Sequence, residues 1–243
     1  QALIQCLEHG SNHLYLEIYD KNPSWDKIFS NIRIEIIHVT IAFRSKGQIE
    51  SFKSYLPQQL ETFISISIDP FEMEYYELFK DSGVSFCIDG FSIEQIGASS
   101  NQQLAMVIYC GEYILQQCKN QHRIKFQLGI GSDFLIETSK IRAFKWIWQH
   151  VLDENNYQDN QIHIIGTIGW TNKSIKDPHM NLLRHTTEGL SALSGGVSGL
   201  LIHPANELSN LESNWFDMRM ALNISHILKE ESFISKVADP LNG

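Results

Sequence analysis

The regular alternation of short β-branched runs with helical segments constrains the fold of this chain more than any other feature. Seven runs are predicted to be strands, apolar on both faces, and each connection between them is long enough for a parallel crossover. The predicted strands cover residues 13–19, 34–43, 62–68, 84–89, 124–128, 162–170 and 199–203. The predicted helices cover residues 1–10, 23–32, 48–60, 71–79, 100–118, 133–151, 178–193 and 214–231.

Two of these helices carry further predictions. Ser100 and Gln103 have capping-box spacing at the start of the helix at 100–118. In the helix at 133–151, Trp146 and Trp148 are predicted to pack on the helix face. The apolar residues predicted to share one face of that helix are Phe134, Ile141, Phe144, Trp148 and Val151.

Seven strands preceded by a helix predict a (β/α)8 TIM barrel of the α/β class, whose first strand would lie upstream of residue 1. The 243 residues, of which 43% are hydrophobic, suit one such domain over residues 1–243. An open doubly wound sheet is the alternative. No glycine-rich phosphate-binding motif follows any predicted strand, so the sequence does not support nucleotide binding of that kind.

The best-marked helix begins after Asp177, which can cap it, and Pro178 suits its first turn. Its leucines recur at helical spacing, and Gly195 or Gly196 provides the stop. This segment therefore predicts one βαβ unit between the sixth and seventh strands. The leucines with this spacing are Leu182, Leu183, Leu190 and Leu193.

Composition narrows the class of protein. The chain has 28 acidic and 19 basic residues, a net charge of −9, and no basic block, which argues against a nucleic-acid or membrane partner. No run reaches the roughly 18 apolar residues of a membrane span. The four cysteines form no CxxC motif and predict buried free thiols in a reducing compartment, so we expect a cytoplasmic protein.

In a barrel the active site lies at the carboxyl ends of the strands, and few residues at these ends can act as acids, bases or nucleophiles. Only Asp69, Asp89 and His203 titrate there, and each is predicted to be a turn residue. Asp177 and His179 form a D-x-H sequence whose sixth position is Leu182, so a cobalamin-ligating loop is not predicted. The histidines lack metal-ligand spacing, so we predict no metal site.

Four blocks resemble the barrel domain of the methylmalonyl-CoA mutase family, in order and with matching spacing: residues 90–105, 129–148, 169–196 and 223–243. The resemblance implies an adenosylcobalamin-dependent radical interconversion of methylmalonyl-CoA and succinyl-CoA. In that family acyl-CoA threads the barrel, and a separate C-terminal domain holds the corrin. Such a domain would lie beyond residue 243.

The departures from the family pattern concern the active site. Phe91 and Ser92 occupy the positions of the family's Tyr and His, and Gln95 replaces a Glu near the corrin. Loss of the imidazole removes a donor that would polarise the thioester carbonyl. Of the sixth-strand motif only Thr167, Gly169 and Trp170 remain, because Ile162, His163, Ile164 and Gly166 replace its Arg, Thr, His and Gln.

Other positions are kept. The resemblance assigns Arg123 to the CoA phosphates and places Glu207 near the corrin, with Gln95 and Trp170 as further candidate cofactor contacts. No catalytic residue is predicted. The resulting hypothesis is the small, non-catalytic subunit of a heterodimeric mutase that stabilises a large catalytic subunit.

In this hypothesis adenosylcobalamin is bound by the large subunit, none binds tightly to this chain, and acyl-CoA is met only through the complex. Two alternatives remain open at this point. One is an active mutase-like isomerase with a different acyl-CoA substrate, and the other is a non-enzymatic barrel scaffold of another complex.

Overall fold

The described residues form one sheet of seven strands, whose order in the sheet is the same as their order in the sequence. The computed structural model describes residues 2–56, 58–117, 124–157, 161–207 and 215–241. The pairs β1–β2, β2–β3, β3–β4 and β6–β7 are parallel. The strands are β1 (His13–Glu17), β2 (His38–Ala42), β3 (Ile64–Ile68), β4 (Ser85–Asp89), β5 (Ile124–Ile130), β6 (His163–Ile168) and β7 (Gly199–Ile202).

One helix precedes β1, and at least one helix follows each strand. The helices are α1 (Ala2–Glu8), α2 (Trp25–Ile28), α3 (Lys46–Tyr55), α4 (Glu74–Glu77), α5 (Gly90–Gln95), α6 (Ser100–Gln117), α7 (Phe134–Glu154), α8 (Pro178–Gly195) and α9 (Trp215–His226). Short 3-10 segments cover Ile34–Ile36, Gln58–Phe63 and Ile234–Lys236, and a π-helical turn covers Ile227–Glu231. None of the helices in the described ranges combines the length and apolar character needed to cross a bilayer.

The α/β class and the parallel strand order are confirmed. The sheet has β1 and β7 at its two ends, so the described residues form an open seven-stranded sheet rather than a closed eight-stranded barrel. This arrangement is consistent with part of a TIM barrel.

The prediction that the strands are apolar on both faces is wrong. Side chains alternate between the faces of a strand, and β3 reads Ile-Ser-Ile-Ser-Ile, so its serines share one face. The paired positions on that face are also polar, since Thr40 pairs with Ser65, and Ser67 pairs with Cys87. The Tyr15 hydroxyl lies 3.3 Å from Ser67 Oγ across this face.

The chain divides into two compact units. The first comprises residues 1–89 and 109–125. Its core between strands and helices is aromatic: Trp25 contacts Phe52 edge-to-face at 4.9 Å between ring centroids, and Phe43 stacks on Phe79 at 6.1 Å. Such rings bury large apolar areas, which stabilises the helix-facing side of β1–β4.

The second unit comprises residues 90–108 and 126–243, and its core lies against α7. Phe126 contacts the rings of both Phe144 and Trp148 at 4.6 Å, as the predicted apolar face of this helix requires. The prediction that Trp146 packs on the helix face is wrong. Trp146 is 68% exposed, and its ring contacts the His150 ring edge-to-face at 4.4 Å.

Helix α7 also holds the end of the described chain. The Arg142 guanidinium donates to the Ser194 carbonyl oxygen of α8 at 3.3 Å and forms an ion pair with Asp239. The segment around residue 239 is therefore tied to two helices of the second unit.

The predicted caps of α8 are confirmed. Asp177 Oδ1 accepts hydrogen bonds from the backbone N–H groups of His179 and Met180 at 3.2 and 3.3 Å. Gly196 ends the helix with φ of 88°, a left-handed conformation that a residue without Cβ adopts at no steric cost.

The leucines do not form the buried face of α8, however. Leu183 is 62% exposed, and the buried side of the helix is made of polar and small residues. The helix turns this side inward because its polar groups find hydrogen-bond partners in the loops beside it. The residues of this face are Asn181, His185, Glu188, Gly189, Ser191, Ala192, Ser194 and Gly195.

Several predicted boundaries differ from the structure. The run at 34–43 begins as a 3-10 turn, so strand β2 starts only at His38. The helices predicted at 23–32 and 71–79 shrink to four residues each. The capping box of α6 is formed by Ser99 and Gln102 rather than by Ser100 and Gln103, because the Gln103 amide bonds the Gly90 carbonyl instead.

The prediction of buried free thiols is confirmed for Cys87 and Cys110, whereas Cys6 is free but only half-buried. Burial raises the pKa of the Cys87 thiol to about 12. Cys118 lies outside the described residues.

The Asp177 cap provides a stability test. Asp177→Ala removes the acceptor for two orphan N–H groups and should lower the free energy of unfolding by about 1 kcal/mol. Urea unfolding followed by circular dichroism measures this loss. Asp177→Asn retains a capping oxygen and serves as the control. Equal losses in both variants would show that the cap does not stabilise α8.

Candidate functional site

The candidate site lies in the second unit, where β5, β6 and β7 end. The short helix α5 starts there at Gly90, a segment that the sequence did not predict to be helical. It places Phe91 against residues that follow β6 and β7. We refer to Phe91, Trp170 and His203 as the aromatic cluster.

The three rings of the aromatic cluster contact one another. The Phe91 ring stacks on the His203 imidazole with an interplanar angle of 18° and a centroid distance of 5.5 Å. Trp170 meets the Phe91 ring edge-to-face at 5.5 Å and lies 4.3 Å from the His203 ring. The end of β6 and the end of β7 are therefore joined by α5 through ring contacts.

Helix α5 can approach the sheet because Gly129 in β5 and Gly169 directly after β6 have no side chain. A Cβ atom at Gly169 would lie 2.8 Å from Phe91 Cζ and in contact with the Gln95 amide. A Cβ atom at Gly129 would lie 2.8 Å from Glu94 Cβ. These separations are shorter than van der Waals contact, so the position of α5 depends on both glycines.

The two ring nitrogens of His203 differ in their hydrogen bonding. Its Nδ1 lies 3.0 Å from Glu207 Oε2, which orients the imidazole, and its Nε2 is buried with no hydrogen-bond partner among the residues that the structure describes. Trp170 Nε1 is buried and unpartnered in the same way. The ring that carries Nε2 stacks on Phe91 and lies tilted against Trp170.

A buried ion pair supports this site from the α8 side. Lys173 Nζ lies 2.6 Å from Glu188 Oε2, and both side chains are almost fully buried. Asn172 donates a second hydrogen bond of 2.6 Å to Glu188 Oε1. Burial lowers the pKa of Lys173 and raises the pKa of Glu188, and their mutual attraction opposes both shifts.

Asn181 closes the loop before α8. Its side-chain oxygen accepts from the Ser174 N–H, while its amide nitrogen donates to the carbonyl oxygens of Ser174 and Ala205, each at 2.9 Å. Since Asn181 is fully buried and fully bonded, it fixes the loop after β6 to the loop after β7.

Next along the buried face of α8 lies His185. Its imidazole is buried, and burial together with Lys173 and His203 lowers its pKa to about 3. The ring is therefore neutral at physiological pH, which suits a packing role rather than proton transfer.

The structure brings together some of the residues selected from sequence. Phe91, Trp170 and Glu207 meet around His203, and Gln95 lies beside them on α5, where its amide donates to Glu94. Ser92 is half-buried on the same helix. Arg123 lies outside the described residues.

Sequence reasoning missed the role of His203, which was predicted to be only a strand-end turn residue, and the role of Gly169. The only signal for either was the His-Pro pair at the end of the seventh strand and the Gly-Trp pair at the end of the sixth. Neither pair indicates by itself that the two residues share one cluster.

The protein is thus of the α/β class with a parallel sheet, and the side chains of the aromatic cluster meet at the carboxyl ends of its strands. Residues 54–243 match the family model for methylmalonyl-CoA mutase. The chain belongs to the methylmalonyl-CoA mutase family.

Individual relatives agree with this assignment. The methylmalonyl-CoA mutase small subunit of Porphyromonas gingivalis is 32% identical over 168 residues, which are 64% of this chain and 27% of that protein. The human mitochondrial methylmalonyl-CoA mutase is 30% identical over 196 residues, 75% of this chain and 26% of the human protein. The chain thus spans about a quarter of the length of these relatives.

A solved structure supports the fold alone. The structure of Rv1207 from Mycobacterium tuberculosis superimposes with a TM-score of 0.52 at 9% sequence identity, covering 98% of this chain and 88% of that one.

The close approach at Gly169 can be tested directly. Gly169→Ala should destabilise the protein by about 1 to 3 kcal/mol, because the added methyl group overlaps the Phe91 ring. The control is Gly199→Ala in β7, where a Cβ meets nothing within 4 Å. Chemical denaturation of the two variants measures the difference, and equal stabilities would contradict the described position of α5.

Burial of His185 predicts a pH dependence. As the pH falls below 6.5, an unfolded chain takes up a proton at this residue, whereas the folded chain does not until about pH 3. Stability is therefore lost as the pH falls, and the share of His185 between pH 7 and pH 5 is about 2 kcal/mol.

Urea unfolding at these two pH values should show this loss reduced in His185→Gln. Substitution of the exposed His179 by Gln on the same helix is the control. A loss as large in His185→Gln as in the unaltered protein would exclude His185 as its source.

Proposed function

We propose that this chain is the barrel portion of the small, non-catalytic subunit of an adenosylcobalamin-dependent methylmalonyl-CoA mutase. In this proposal it stabilises a large catalytic subunit in a cytoplasmic heterodimer. Family membership and the relative named as a small subunit support the setting. The aromatic cluster carries the non-catalytic part of the proposal.

The cluster fills the position at which the family resemblance expects polar chemistry. The Phe91 ring, which takes the place of the family's Tyr, stacks on His203 and has no group that can donate a hydrogen bond to a carbonyl oxygen. The contact of Phe91 and Gln95 with Gly169 leaves no room for even one added carbon at that point. A thioester carbonyl at this position would thus lose its hydrogen-bond donor.

The residues present do not fit a bound corrin well. The Gln95 amide is bonded to Glu94, the Glu207 carboxylate is bonded to His203, and the Trp170 ring packs against the cluster. All three candidate cofactor contacts are thus engaged within the chain. In this proposal cobalamin is therefore bound by the large subunit.

The same proposal treats residues 1–243 as one TIM-barrel domain. A further strand upstream of residue 1 would pair with the free side of β1 or β7 and extend the open sheet towards closure. Association with the large subunit would bury an obligate interface on the order of 2,000 Å² or more.

Co-expression of the full-length protein with the large subunit tests the proposal. We expect the two chains to co-purify in equal amounts, with mutase turnover by the pair and none by the small chain alone. Absence of co-purification would contradict the heterodimer. Turnover of a CoA ester, or a shift of the corrin absorption spectrum, by the small chain alone would indicate an active isomerase instead.

Restoring two residues should not restore activity. Phe91→Tyr combined with Ser92→His replaces the two family groups on α5, but the positions of Ile162, His163, Ile164 and Gly166 on and before β6 remain altered. We expect no detectable mutase turnover from this double variant in an assay without the large subunit. The heterodimer assayed in parallel is the positive control, and measurable turnover by the variant alone would show that the α5 changes are sufficient.

A further inference from the structure

A small polar cavity with a volume of about 200 Å³ lies in the second unit, beside the aromatic cluster. It opens where α5 ends, α6 begins and α7 makes its first turn after β5. The polar residues that line it are Glu94, Ser99, Ser100, Gln103, Glu137 and Lys140. Of these residues the proposed function uses only Glu94, as the acceptor for the Gln95 amide.

Gln103 presents an unsatisfied acceptor in this cavity. Its side chain is 1% exposed, and its Nε2 donates to the Gly90 carbonyl oxygen at 2.9 Å, which fixes the orientation of the amide. The remaining polar atom, Oε1, is buried and has no hydrogen-bond partner in the described part of the chain. A buried acceptor without a partner costs about 1 to 3 kcal/mol, so a donor or a cation is expected beside it.

The charges of the cavity leave one carboxylate uncompensated. Lys140 Nζ lies 2.5 Å from Glu137 Oε2 and 2.6 Å from the Gly129 carbonyl oxygen, so this ammonium group neutralises Glu137. Glu94 accepts neutral hydrogen bonds from Thr171 and Gln95. Among the described residues no cationic group forms an ion pair with Glu94, so the lining carries a net charge of −1.

These observations select the class of ligand. Two carboxylates disfavour an anion, and the unmatched atoms are oxygen acceptors. A divalent ion prefers several carboxylates without cationic partners, whereas of the two lining carboxylates only Glu94 is of this kind and the Lys140 ammonium lies close to the other. The volume holds a few water molecules or a partly hydrated monovalent ion.

We propose that this cavity binds a small monovalent cation, either an alkali ion or a primary ammonium group. Gln103 Oε1 and the Glu94 carboxylate are its principal ligands, and the hydroxyl groups of Ser99 and Ser100 complete the set. The cation satisfies the buried amide oxygen and balances the free carboxylate, and it thereby fastens the end of α5 to the start of α6.

Thermal unfolding of the full-length protein tests the site. The midpoint is measured in potassium chloride, methylammonium chloride and tetramethylammonium chloride at equal ionic strength. We expect potassium, methylammonium or both to raise the midpoint by about 2 to 4 °C over tetramethylammonium, which is too large to enter. The ion that gives the larger rise distinguishes an alkali site from an ammonium site, and equal midpoints in the three salts overturn the proposal.

Two variants locate the effect. Glu94→Gln should reduce the rise by more than half, whereas Glu50→Gln, which removes an exposed carboxylate of α3, should leave it unchanged. An equal rise in both variants would place the ion elsewhere and overturn the assignment. Crystals soaked in thallium(I) give a readout that needs no variant: anomalous density between Gln103 and Glu94 supports the site, and its absence there overturns it.

Discussion

The approach of α5 to the ends of β5 and β6 is the contact on which the described site depends. It exists because positions 129 and 169 carry no side chain, and α5 fills the space that a Cβ would take. Packed interiors have few alternative arrangements, so this contact fixes where Phe91, Glu94 and Gln95 can point. The aromatic cluster uses Phe91 of this short helix, and the small polar cavity uses Glu94, three residues further along it.

The polar side of α8 provides the second constraint. A helix of this length is expected to bury an apolar stripe, yet α8 buries Asn181, His185 and Glu188 and exposes Leu183. Each buried carboxylate or amide must be bonded, and the loop after β6 supplies Lys173, Asn172 and Ser174 for this purpose. The loop and the helix are thus specified together, which positions Trp170 next to His203.

Periodicity and local chemistry suffice to predict the features that depend on one segment of the chain. The parallel order of the strands, the caps of α8 and the inward face of α7 are of this kind, and they are confirmed. Features that depend on contacts between distant segments were not predictable in this way. Helix α5 was not predicted because its position depends on Gly129 and Gly169, which lie far from it in the sequence. The exposure of Leu183 results from the hydrogen-bond partners that the buried face of α8 finds in another loop.

The Lys173–Glu188 pair has a consequence for how this family can diverge. Loss of either partner leaves a buried charge uncompensated, at a cost of about 3 to 5 kcal/mol, whereas joint replacement by apolar residues of similar volume is close to neutral. Both residues of the pair must therefore be replaced together during evolution, since a protein with only one of them replaced would be poorly folded. Positions 173 and 188 should accordingly covary among relatives that have retained this loop.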